Sequence, residues 1–147
     1  MSFGSTFQND LLKLIFNGTA ISLIADNALV TPSTNLYVSL HTADPSGGTQ
    51  GTNETTAYTG YARVALARTS SGWNVGSTAV NVVSPAINVD FPQMTAGTSY
   101  TAAYAAIGLT SASTSGKIIA AGAITPNIAI QLNVIPRLTT ASTFTLT

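Results

Sequence analysis

The stretch NLYVSLHTADPSGGTQGTNETTAYTGYARVALAR, Asn35 to Arg68, decides the fold and holds the chain's only histidine, two of its five acidic residues and two of its five basic ones. In Leu36 to His41, apolar and polar residues alternate with a period of two. Successive side chains of a strand point to opposite faces of a sheet, so this pattern predicts a strand with Leu36, Val38 and Leu40 on one face and Tyr37, Ser39 and His41 on the other. Turn-forming residues then open a long polar loop from Asp44 to about Thr59, and Tyr61 to Arg68 predicts a second strand.

Short strands separated by turn signals continue through the rest of the chain. We predict them at Trp73 with Val75, Ala79 to Val83, Ile87 to Phe91, Tyr100 to Leu109, Lys117 to Ile124, Asn127 to Val134 and Ser142 to Leu146. A single amphipathic helix is predicted before them, from Thr6 to Phe16, with a Ser5 to Gln8 capping box and a left-handed stop at Gly18. The expected fold is all-β with this short helix, an antiparallel, jelly-roll-like β-sandwich. We expect one domain over 1–147, with 1–18 as an N-terminal helical arm.

Composition narrows the function classes. Of the 147 residues, 7% are charged, the net charge is zero and cysteine is absent. Scattered basic residues argue against a nucleic-acid binder, and the lack of cysteine removes thiolate metal sites and thiol nucleophiles. So little charge gives weak protection against association, so we expect a subunit of an assembly. The uncharged run Ile118 to Pro136 is interrupted by polar residues and Pro126, which favours two strands over a membrane span.

No catalytic or metal constellation is found. His41 and Asp44 could form half of a triad, but no nucleophile elbow accompanies them, and local pairing of a strand-end histidine with Asp44 or a backbone carbonyl is the simpler interpretation. The acidic residues Asp44, Glu54 and Asp90 lie in separate segments without a metal-binding spacing. We therefore predict no enzyme activity, no metal and no cofactor.

Two groups of residues are predicted to have structural or partner roles. His41, Asp44 and Arg63 are expected to pin the long loop to the strand end. Arg63 and Arg68 fall on opposite faces of their strand. We expect one of them to be held by Asp44, Glu54 or the end of the sheet, and the other to be solvated or at an interface. The apolar helix positions could dock on a neighbouring subunit or pack on the chain's own sheet; they are Phe3, Phe7, Leu11 and Ile15.

The run Leu36 to Pro45, LYVSLHTADP, followed by Tyr58 to Arg63 and by Trp73, is similar to a family of small structural proteins of tailed bacteriophages. Its members are labelled tail-fibre-like or capsid decoration (cement) proteins. The similarity extends to Ala106 to Gly108 and to the C-terminal end of the chain, and implies no catalytic residues.

From this resemblance we expect a non-enzymatic virion protein, made in the host cytoplasm and placed on the capsid exterior. There it would bind the major capsid protein and copies of itself as a dimer or trimer, and stabilise the shell. Nucleic acid and membrane are not expected partners. The alternative is a tail or tail-fibre-associated protein that contributes to host adsorption. A small hydrolase acting on a cell-surface polymer is a remote third interpretation.

Overall fold

The computed structural model describes residues 5–21, 33–76 and 81–145. Within these ranges the chain forms one helix and nine strands: α1 Ser5–Asn17, β1 Asn35–His41, β2 Val64–Ala67, β3 Trp73–Val75, β4 Val82–Pro85, β5 Val89–Asp90, β6 Tyr100–Gly108, β7 Ile118–Ile130, β8 Arg137–Leu138 and β9 Phe144–Thr145. The strands pair in antiparallel sheets. The predicted all-β class with one short N-terminal helix is confirmed, and the arrangement is consistent with an all-β sandwich.

The contacts group the chain into two compact units. One, here called the helix unit, comprises 1–35, 66–88 and 139–147; the other, the sheet unit, comprises 36–65 and 89–138. The chain passes from the sheet unit to the helix unit in the middle of β2. The expectation of a single domain over 1–147 stays a prediction.

In the helix unit, α1 packs on a three-stranded sheet of order β3-β4-β9. Leu12 and Phe16, one turn apart, are buried, and the Phe16 ring meets the fully buried Trp73 ring edge to face at 4.8 Å. Gly18 ends the helix with a φ of 66°, the left-handed conformation that the sequence predicts. The helix therefore buries one face against the sheet of its own unit.

Arg68 fastens the end of this helix. Its Nε donates to the Ile15 carbonyl and its Nη2 to the Leu14 carbonyl, each at 2.6 Å. The last carbonyls of a helix have no partner within the helix and carry partial negative charge, so a guanidinium satisfies them well. One of the two arginines was expected to be solvated or at an interface. Arg68 is half-buried and bonded within the helix unit, and an interface role for it stays a prediction.

The sheet unit is built on a four-stranded sheet of order β2-β1-β6-β7. β1 pairs with β6 in a regular register that sets Val38 opposite Ile107. Leu36, Val38 and Leu40 are all buried, as the period-two pattern predicts. The central strand β6 is buried along 105–108, which agrees with its small side chains.

Several strand boundaries differ from the sequence expectations. Lys117 to Ile124 and Asn127 to Val134 are not two strands: β7 runs through the cis Thr125–Pro126 peptide as one strand. β7 contains a bulge at residues 124–127. Tyr104 of β6 pairs with Ala123 and Ala102 pairs with Ile128, so these four residues of β7 lie opposite the single residue Ala103. Pro126 is tolerated because a bulged residue need not donate to the ladder.

Other boundaries were shifted or missed. β2 begins at Val64 and not at Tyr61, and the short strand β8 at Arg137–Leu138 was not predicted. Residues 79–80 and 146 of two predicted strands, Phe3, and the side chains of Ser5 and Phe7 lie outside the described part of the chain. The capping box therefore stays a prediction.

Candidate functional site

Two loops of the sheet unit are bound to each other beyond the ends of β1 and β6. We call residues 42–59 the long loop and residues 109–117 the short loop. Backbone bonds join them, with Gln50 N donating to Gly116 O at 2.8 Å and Gly51 N to Thr114 O at 3.0 Å. The long loop also returns along β1, where Thr55 N donates to Leu40 O at 2.9 Å. The long polar loop that the sequence predicts is thus held by backbone hydrogen bonds to β1 and to the short loop.

A buried glutamine fastens the two loops from inside. Gln50 is completely buried, and its Oε1 accepts from the Thr110 amide at 3.0 Å and from the Thr110 hydroxyl at 2.9 Å. Its Nε2 donates to the Thr110 carbonyl at 3.3 Å. Gly108 and Gly116 leave room for the side chain, since a Cβ at either position would overlap the Gln50 amide. Gln50 was not predicted as a site residue, because a glutamine in a Gly/Thr-rich loop gives no signal of burial.

An ion pair forms a second fastening. Arg63 grips Glu54 with two parallel bonds, Nε to Oε1 at 2.6 Å and Nη2 to Oε2 at 2.7 Å, and the two side chains are only 3% and 5% exposed. Arg63 Nη1 donates to the Thr110 carbonyl at 2.9 Å and to the Ser113 carbonyl at 3.1 Å. The bond to Glu54 raises the pKa of the Arg63 guanidinium. Because its donors are already engaged across both loops, Arg63 serves as a clamp and has little capacity left for a ligand.

Tyr61 links this clamp to the strand end. Its hydroxyl accepts from the Leu40 amide at 3.2 Å and donates to Glu54 Oε1 at 2.9 Å. Burial raises the pKa of this phenol, as does the neighbouring Glu54 carboxylate. The Tyr61 ring lies edge to face with the buried Tyr58 at 5.4 Å. The two rings therefore support the loops from the protein interior and expose little surface to solvent.

His41 lies at the junction of β1 and the long loop and is completely buried. Its Nδ1 is 2.8 Å from the Thr52 carbonyl, and its Nε2 is 2.8 Å from the Ser39 hydroxyl. Both contacts suit a neutral imidazole that donates from Nδ1 to the carbonyl and accepts from the serine. Burial lowers the His41 pKa, partly opposed by the hydrogen bond to Thr52. The ring thus pairs with a backbone carbonyl, one of the two partners considered, and not with Asp44.

The remaining predicted site residues are not brought together with this cluster. Asp44 is exposed and accepts from the Ser46 amide at 2.9 Å, which lowers the pKa of its carboxyl group. Its carbonyl accepts from the Asn53 side chain at 3.2 Å, so its contacts stay within the long loop. Of the helix positions, Leu11 and Ile15 are half-buried in the helix unit. Their role as partner contacts, and that of Phe3 and Phe7, stays a prediction.

A pocket of about 230 Å³ opens beside the clamp. Its lining residues are Glu54, Thr56, Tyr61, Ala62, Arg63, Ser111 and Ala112. The exposed members carry two hydroxyls and three methyl groups, while the charged members are bonded to each other. Such a lining suits a small uncharged polar group and offers no unpaired ionic group.

The described residues contain no group of three or more His, Asp or Glu side chains placed to hold a metal ion. The only helix found there, α1, is too short to cross a membrane. The site therefore consists of two loops joined by hydrogen bonds and an ion pair, next to a small pocket whose charged lining residues are paired.

Comparison with known families agrees with a structural role. The family described as "Gp80: Podophage GP4 fiber I protein gp80" matches residues 2–145. The chain belongs to this family. Membership identifies it as a structural protein of a tailed-phage virion, and the resemblance seen in the sequence is confirmed at that level. No curated protein matches the chain. The family description names a fibre protein, and the exclusion of enzyme activity stays a prediction.

Proposed function

We propose that the protein is a tail-associated fibre component that contributes to host adsorption through its clamped loop pair. The family match over residues 2–145, described as a podophage fibre protein, carries this proposal. The same description supports the fibre alternative better than the capsid decoration role that we expected first.

The loop pair supports the adsorption part of the proposal. Groups that are held in place before contact bind a ligand more tightly, since ordering a loop on binding reduces affinity. Here Gln50, Glu54 and Arg63 hold both loops while hydroxyls such as those of Thr56 and Ser111 face solvent. Hydroxyls and methyl groups without net charge fit the alternating polar and apolar faces of a sugar. We therefore expect a neutral glycan of the host envelope as the ligand.

The location is tested by cryo-EM of the intact virion. Density for this chain at the tail is the expected result, and density only on the capsid exterior would contradict the proposal.

The adsorption role is tested by the isolated protein, which should bind host cells and compete with phage adsorption. Ala62→Tyr, which fills the pocket from an exposed position, should abolish competition. Ala141→Tyr, at an exposed position outside the pocket, is the matched control and should leave it unchanged. Equal competition by both variants would rule out the pocket, and no binding by the folded wild-type protein would rule out adsorption through this chain.

A further inference from the structure

His41 joins the long loop to β1. It is the chain's only histidine, it ends β1, and it is completely buried. Its Nδ1 is 2.8 Å from the carbonyl of Thr52 in the long loop, and its Nε2 is 2.8 Å from the hydroxyl of Ser39 in β1. The backbone of His41 also forms a bridge with Glu54, where the long loop returns along the strand. The ring therefore lies between the strand and the loop, and bonds to both.

A second proton on this ring has no good place in the closed structure. The neutral ring donates from Nδ1 to Thr52 and accepts at Nε2 from the Ser39 hydroxyl, whereas a protonated ring donates from both nitrogens. The Ser39 hydroxyl would then have to donate to the Ala106 carbonyl, which is 3.4 Å away. Because an O–H···O bond is usually about 2.7 Å long, this replacement is weak. The added charge would also be kept away from water, since the ring is completely buried.

The groups around the ring do not compensate this charge. Glu54 and Arg63 are the charged groups that act on it, and the first attracts the cation while the second repels it. They bind each other through two bonds, so they oppose each other at the ring. Tyr104 lies opposite His41 on β6 and Tyr61 bonds to Glu54, but a phenol carries no charge in neutral or acid solution. Burial is therefore the largest influence and lowers the pKa of the His41 ring from its ordinary value of 6.5.

We propose that protonation of His41 opens the long loop, so that acid separates this loop from β1 and the short loop while the sheet stays folded. In the open loop the imidazolium reaches water, so the open form binds the proton more readily than the closed form. Each pH unit below 6.5 should raise the ratio of open to closed loop by up to about tenfold, until the closed form is protonated as well. The bonds of Gln50 and Arg63 hold the loop closed at neutral pH. Histidine is the side chain that titrates between about pH 5 and pH 8, so this chain responds in that range through one residue.

Opening of the loop would divide the pocket beside the clamp. Among its lining residues, Glu54 and Thr56 belong to the long loop, and Ser111 and Ala112 belong to the short loop. If the pocket binds a host glycan, acid should therefore weaken adsorption. This consequence rests on the proposed function, whereas the opening itself does not.

Amide hydrogen exchange of the wild-type protein between about pH 8 and pH 5 tests the opening. The reporters are the amides of Gln50, Gly51 and Thr55, which bond to the short loop and to β1. After correction for the intrinsic pH dependence of exchange, their opening should become up to about tenfold more frequent for each pH unit below 6.5. Amides of the β1–β6 ladder should stay better protected at every pH, because the loop opens without them. A loop that exchanges only together with this ladder would overturn the proposal.

Two variants assign the response to its residue. His41→Asn cannot be protonated and keeps a side-chain N–H for the Thr52 carbonyl, so the acid response should disappear. Asp44→Asn removes the exposed carboxylate of the same loop and keeps an acceptor for the Ser46 amide, so it should respond like the wild-type protein. An acid response that persists in His41→Asn would assign the opening to carboxylates and refute the proposal.

Two further measurements complete the test. Titration of the His41 ring, followed by NMR in the wild-type protein, needs no variant, and a pKa at or above 6.5 would also refute the opening mechanism. Binding of the isolated protein to host cells should weaken in acid, and His41→Asn should prevent this loss. A loop that opens while binding persists would contradict the glycan site in the pocket and leave the opening established.

Discussion

Replacing Arg63 by methionine should destabilise the sheet unit strongly. Methionine keeps the aliphatic stem and removes the guanidinium, so Glu54 would lose both of its arginine bonds while remaining 5% exposed. Breaking a buried ion pair by removing one partner costs about 3–5 kcal/mol, since the other charge is left without compensation. Two carbonyls of the short loop, of Thr110 and Ser113, lose a donor as well. For a chain of this length, we expect the melting temperature to fall by roughly 6–20 °C.

The assay is urea unfolding followed by tyrosine and tryptophan fluorescence, combined in a double-mutant cycle. Glu54→Gln removes the charge and keeps an acceptor for the Tyr61 hydroxyl, which lies 2.9 Å from Oε1. The double variant Arg63→Met with Glu54→Gln should lose clearly less stability than the sum of the single variants, because no charge remains buried. If the double variant instead loses as much stability as the two single variants together, the two residues do not act as a pair.

The exposed pair Asp90 and Arg137 provides the matched control. It is also bidentate, but its side chains are 45% and 50% exposed. Arg137→Met should therefore change the melting temperature much less than Arg63→Met, because water solvates the carboxylate that is left behind. Equal losses from the two arginine substitutions would refute the assignment of the Arg63 effect to burial.

Three further perturbations follow from the described contacts. Gly108→Ala should lower the free energy of unfolding by about 1–3 kcal/mol, because its Cβ would overlap Gln50. Gly122→Ala, with open space at its Cβ, should leave stability unchanged. Urea unfolding compares the two variants, and equal effects would contradict the packing argument. Burial lowers the His41 pKa, so below pH 6.5 the unfolded chain binds a proton at His41 more readily than the folded chain does. The contribution of His41 to stability should therefore be constant above pH 6.5 and fall as the pH drops below it. His41→Asn should flatten this slope in melting curves recorded at a series of pH values. Arg68→Ala removes two charge-assisted bonds to the end of α1 and should speed amide exchange in that helix, which unchanged protection would disprove.

Local sequence signals predicted the elements whose structure is set locally. The period of two in Leu36 to His41 correctly placed the three apolar side chains on one buried face, because the strand alone determines which side chains share a face. It gave no sign that Ser39 and His41, on the other face, are buried as well. The helix was also found, with Gly18 as its stop, since a left-handed glycine acts within one turn. Pro126 misled the prediction at β7, because whether a proline ends a strand or sits in a bulge depends on the neighbouring strand.

The clamp could be anticipated only in part. Glu54 was one of several candidate partners for an arginine, and the choice depended on the long loop returning along β1 to form the bridge between His41 and Glu54. Gln50 and Thr110 lie 60 positions apart and are ordinary polar residues, so nothing local marks them as a pair. Their signal lies in Gly108 and Gly116, whose missing side chains make room for the amide, and it is visible only once the fold is known.

The same scarcity of charge that weakens colloidal protection explains how this chain orders its loops. With few ionic groups available, the long loop is fixed mainly by an amide, hydroxyls and backbone groups, and one ion pair is placed where burial makes it specific. A buried pair of this kind contributes more to a unique geometry than to net stability. Neutral fastenings also leave the outward surface without a strong field, so contacts made there depend on shape and hydrogen bonding. That property suits a loop pair that binds a neutral glycan, as proposed for host adsorption.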